Sequence, residues 1–115
     1  MVMIYKKKQF KVYAECKSDE VIIHNSNKPF DKGHTHIRNF KTAKYLIDLS
    51  IHKSIPNHPI RYFITSLIRL TDDKVYKEAL IRELHKIKKR WIYSSLLNFC
   101  LIIYYSTVLD INMYS

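Results

Sequence analysis

Four consecutive residues, Gly33-His34-Thr35-His36, hold the densest set of metal-capable side chains in the chain. Two imidazoles at i and i+2 behind a glycine can turn toward a single cation. Asp31 stands two residues upstream, and His24 and His58 could approach in the fold. An ion held there would polarise a phosphoryl oxygen or activate a water. The same letters have a plainer use. In an irregular loop from Asn27 to His36, Gly33 would supply a positive φ, and the histidines and Thr35 would satisfy backbone groups ahead of a helix. On that reading no metal or cofactor is assigned, and His34 and His36 are the only candidates for one.

Gly-His-Thr-His also resembles the last metal-binding loop of the calcineurin-like metallophosphoesterases. There a His-x-His pair completes a two-metal site whose bound water attacks phosphorus. The resemblance implies metal ligation by His34 and His36, and it covers four residues. That family's upstream Asp-x-His, Gly-Asp and Gly-Asn-His motifs have no counterpart in this sequence. A metal-dependent phosphoesterase using His34 and His36 is therefore the remote alternative. Other catalytic signals are missing: Cys16, Cys100 and the serines sit in no nucleophile elbow, and no glycine-rich loop is present to cradle a phosphate. No catalytic residue is assigned, and the balance leans away from an enzyme.

Charge is the strongest global feature. Twenty Lys and Arg against ten Asp and Glu leave +10, and beyond residue 90 the only charged residue is Asp110. Such a surface attracts phosphate polymers, anionic lipid or an acidic protein. The cations fall in two groups, Lys6, Lys7, Lys8 and Lys11, then Lys28, Lys32, Arg38, Lys41 and Lys44. Tyr5, Phe10, Tyr13 and Tyr45 are interspersed among them. Cations beside aromatics are what a surface that tracks a backbone and stacks bases requires. These nine are the candidate nucleic-acid-binding residues. The alternative assigns the aromatics to a core and the lysines to a solvated face.

The elements that position these residues follow from periodicity. Phe10, Val12 and Ala14 alternate with Lys11, Tyr13 and Glu15, which predicts a half-buried strand. Val21-Ile22-Ile23-His24 predicts a second strand, giving an antiparallel hairpin, and Met1 to Tyr5 could add a third. A first helix is expected from about Asn39 to Ser54, with Asn39 as N-cap and Pro56 ending it. Asn57-His58-Pro59 should open a second helix with Pro59 near its first turn. Thr71-Asp72-Asp73 should open a third, burying Val75, Ala79, Leu80, Leu84 and Ile87.

At Trp91 the composition changes. Nineteen residues to Leu109 carry no formal charge, and as a helix they would span roughly 28 Å, near the bilayer's hydrocarbon thickness. They are expected to be a membrane anchor, a core element as helix or strand, or a tail foreign to the domain.

The sequence thus predicts a small basic α+β domain over residues 1–90, an N-terminal antiparallel β-hairpin packed against about three helices, followed by the apolar segment 91–115. Two cysteines far apart with no paired spacing suit a reducing compartment, so a cytoplasmic protein is expected. Its expected function is binding nucleic acid or an acidic partner. The alternative is membrane association through residues 91–109. Oligomeric state is not legible.

Overall fold

The computed structural model describes residues 2–15 and 17–89. The chain divides into two units, Met1–Leu84 and His85–Ser115. In the first, four strands form one antiparallel meander in the order β1 (Val2–Lys7), β2 (Phe10–Ala14), β3 (Val21–Asn25) and β4 (His34–Ile37). Helices α1 (Phe40–His52) and α2 (Arg61–Leu70) follow. A third, α3, begins at residue 74 and is helical through 89, of which 85–89 belong to the second unit. The protein is of the α+β class. The apolar segment 91–109, with its anchor, core and tail alternatives, lies outside the described residues. Among the described residues, no helix is long and apolar enough to cross a membrane.

Strand register explains which side of the sheet is buried. Phe10 pairs with Asn25, Val12 with Ile23 and Ala14 with Val21, while Val21 and Ile23 pair in turn with Ile37 and Thr35. Period-two geometry places all of these on one face. There Phe10, Val12, Val21, Ile23 and Ile37 are buried with Ala43, Leu46 and Ile47 of α1, Ile64, Leu67 and Leu70 of α2, and Tyr76 and Leu80 of α3. A two-stranded hairpin is marginal in water. Two further strands and helices on one face supply the missing burial.

The joints are set by local chemistry. Asn39 caps α1 by accepting from the Thr42 N–H at 2.8 Å. The helix closes at Lys53, which takes the left-handed conformation and donates its N–H back into the last turn. Pro56 therefore stands beyond the true stop. Helix α2 starts two residues after Pro59, because Ile60 is extended and serves as its N-cap without a side-chain bond. At α3 the cap is Asp73, whose carboxylate accepts from the Tyr76 N–H at 2.9 Å, while Thr71 accepts from the Asp73 N–H. This phase buries Tyr76 in place of Val75, which is 75% exposed.

Two expectations for the connector are corrected. His34 to Ile37 form a strand, because Thr35 and Ile37 face the core and pair with Ile23 and Val21. Gly33 does not have a positive φ. Glycine is required there by close approach, since a Cβ would lie 2.5 Å from Lys28 Cβ.

Candidate nucleic-acid interface

The same register that buries one face lays out the other. Lys6 pairs with Lys11, Lys11 with His24, and His24 with His34. One cross-strand row therefore runs over all four strands as Lys, Lys, His, His, pointing away from the helices. The adjacent row is Met3, Tyr13, Ile22 and His36, with Ile22 buried in its middle.

The loop from residue 26 to Gly33 lies at the basic end of this face and is tied down at several points. Ser26 donates from both N–H and hydroxyl to Gln9 O, at 2.8 and 2.9 Å, joining the loop to the β1–β2 turn. A carbonyl oxygen can only accept, so His24 Nε2 donates to Lys28 O at 2.9 Å, and His34 Nδ1 donates to Phe30 O. That leaves His24 Nδ1 and His34 Nε2 as the remaining polar atoms of those rings. Phe30 stacks flat on His34, centroids 4.3 Å apart at 3°, and meets His24 edge-on at 5.3 Å. It is 42% exposed, so a large aromatic surface stands among cations at the rim of the sheet.

The imidazoles of His34 and His36 meet edge to face at 5.4 Å. His36 Nδ1 lies 3.1 Å from Glu20 and 3.8 Å from Glu15, so the far end of the face is acidic. Among the described residues, no group of three or more His, Cys, Asp and Glu side chains could hold a metal ion.

The nine candidate cations separate into distinct places. Lys6 and Lys11 lie in the cross-strand row, Lys8 in the β1–β2 turn, and Lys32 in the β3–β4 loop. Lys7 points to the helix side, bonds Asp48 at 2.7 Å, and is held above the ordinary lysine range by that bond. Lys28 Nζ donates to the Arg69 and Thr71 carbonyls at 3.0 and 3.2 Å. Its pKa is lowered, first by burial and then by the charge of Lys77. Arg38 stacks on Tyr62, 4.7 Å from the ring centre, and Lys44 lies over Tyr5 and Phe40. Lys41 is exposed on α1, away from the row. His24 stands in the cationic row and Phe30 stacks at its end, although the nine candidates omit both, while Tyr13, one of the interspersed aromatics, stands in the adjacent row. The signal available for Tyr13 was its alternation with Val12 on β2.

No family model, curated protein or solved structure matches the chain.

Proposed function

We propose that this chain is a small binding protein that takes a nucleic-acid strand across the outer face of its sheet, at the end bearing Lys6, Lys8, Lys11 and Lys32. The observation that carries the reading is the Lys6–Lys11–His24–His34 row, with Phe30 stacked at its end. Phosphates would meet the lysines. Bases would meet the exposed ring of Phe30 and, further along the face, Tyr13. An unpaired strand suits this geometry better than a duplex, because a sheet face with projecting aromatics offers stacking that a closed duplex cannot use. Like charges directly opposite one another across strands repel. An arriving polyanion relieves that repulsion between Lys6 and Lys11.

The test is fluorescence anisotropy of a labelled single-stranded oligonucleotide with the full chain, over a range of salt. Affinity is expected to fall steeply from low to physiological ionic strength. Lys6→Gln and Lys11→Gln should each flatten the slope by about 0.7, the contribution of one phosphate contact on a single strand. Lys44→Gln should leave it unchanged. An absence of binding at low salt, or a salt-independent affinity, would refute the proposal.

A further inference from the structure

The two edges of the sheet are finished differently. On β4, Arg69 Nε donates to His34 O at 3.0 Å, and the Arg38 N–H just past the strand donates to Tyr62 Oη at 3.0 Å. Side chains of α2 thus occupy both ends of that edge. On β1, among the described residues, no side chain or strand takes the outer backbone groups. The ladder shows which groups those are. The Asn25 N–H bonds Gly33 O, so Asn25 and Ile23 face β4, and His24 and Ile22 face β2. By the same alternation Phe10 and Val12 face β1, where they pair with Lys7 and Tyr5. The N–H and C=O of Lys6, between them, point off the sheet.

That open edge is also chemically uneven. Val2, Met3 and Ile4 are 64%, 50% and 45% exposed, a run of three large apolar side chains on an edge strand. A register irregularity lies between Met3 and Tyr5, and Lys6, Lys7 and Lys8 follow. Bulges and lysines are how proteins discourage edge-to-edge pairing with themselves. Here the lysines guard only the second half, and the irregularity falls at the apolar run itself. A second copy of this chain would bring three more lysines and its own excess of ten positive charges to the junction.

We infer that β1 is a docking edge for an extended acidic segment of another protein, added antiparallel as a fifth strand. Its carboxylates lie along Lys6 and Lys8, and its apolar side chains cover Val2, Met3 and Ile4. Backbone bonds to Lys6 give affinity, and the charge pattern sets direction and excludes self-pairing. The backbone groups of Lys6 belong to the sheet's edge alone, whereas the Lys6 and Lys8 side chains are shared with the face, so a nucleic acid on the face would compete with the segment for those two charges.

The experiment titrates the full chain, isotopically labelled, with a short synthetic peptide carrying glutamates in its first half and valines and threonines in its second. Saturable amide shifts are expected along β1, together with slowed hydrogen exchange at the Lys6 amide and none at His36. Replacing the glutamates by glutamine should weaken binding about tenfold, the sum of a few partly exposed ion pairs. Lys6→Gln should cost severalfold. Lys6→Pro, which removes an outward N–H without touching the β2 ladder, should abolish peptide binding while thermal unfolding shows the fold intact. If Lys6→Pro does not fold, the exchange measurement on the unsubstituted chain decides alone. Shifts confined to the Lys11–His24–His34 face, equal binding of the glutamine peptide, or no saturable shift would overturn the inference. So would a dimer that protects the Lys6 amide without peptide.

Discussion

Asn25 is the residue on which the arrangement of the β3–β4 loop depends, and replacing it should be the most damaging polar substitution in the first unit. It is fully buried. Its Nδ2 donates to Leu70 O at 2.8 Å, and its Oδ1 accepts from the Asn27 N–H at 3.0 Å. One amide therefore caps a terminal carbonyl of α2 and starts the turn that leads to Phe30. Asn25→Ala removes both bonds, each worth about 1 kcal/mol net. The Asn27 N–H is on an exposed residue and regains a partner from water. The Leu70 carbonyl is left without its donor beside a buried side chain, which adds about 1–3 kcal/mol. The expected loss is about 3 kcal/mol, read as a lowered midpoint in urea at unchanged slope, or as a fall in Tm of about 15 °C for a domain of this size. Asn25→Asp keeps the acceptor but sets a carboxylate against the Leu70 carbonyl, so it should be worse than alanine at neutral pH and partly recover in acid. A loss below about 1 kcal/mol for Asn25→Ala would show that the loop and α2 are held by other contacts, and the reasoning would fail.

Gly33→Ala should destabilise by about 1–3 kcal/mol through overpacking, since the new methyl would sit 2.5 Å from Lys28 Cβ; a neutral result in urea unfolding would mean the loop yields freely. Asp73 bonds Lys53 at 2.6 Å, and that contact, then the Tyr76 N–H, lowers its pKa below the usual aspartate value. A depressed carboxyl contributes stability above its unfolded pKa, about 3.9, and loses it as pH falls through the folded value. Thermal unfolding of the wild-type chain should therefore drop more than that of Asp73→Asn as pH falls through this range. Parallel curves would contradict this assignment.

What the sequence revealed and what it hid have one physical origin. Strand β2 alternates loosely, with Phe10, Val12 and Ala14 on one side, and α1 has both a capping asparagine and a helical stripe, so both could be read. Strand β4 has only Thr35 and Ile37 facing inward. Two inward residues are too few to establish a period, and the neighbouring histidines suggest a metal loop instead. The α3 stripe kept Leu80 in the core and Ala79, Leu84 and Ile87 half-buried, and failed only at Val75, in the first turn after the Asp73 cap. Tyr76, which the apolar pattern passes over, is buried with its hydroxyl donating to Ser54 O at 2.7 Å. The outer row could not be seen at all from local pattern. It exists only once four strands take their register, and register is a long-range property.

That register also decides how the basic excess is used. Lys28 sits at the carboxyl end of α2, where the carbonyls it meets form the negative pole of the helix. Arg69 closes the β4 edge, Lys7 fastens β1 to α1 through Asp48, and Lys53 fastens the end of α1 to Asp73. Arg38 and Lys44 lie on aromatic rings. These cations are occupied in holding the elements of the scaffold together, and net charge overstates what is left for a ligand. If all nine candidate cations met phosphates, the logarithmic salt slope on a single strand would be about −6, at roughly 0.7 per contact. With Lys6, Lys8, Lys11 and Lys32 alone it is about −3. A slope near −6 would mean that the scaffold's ion pairs and ring contacts give way to the ligand, and the separation of structural from binding cations would be wrong. A slope near −3, flattened further by Lys6→Gln but not by Lys44→Gln, is what a sheet with one working end requires.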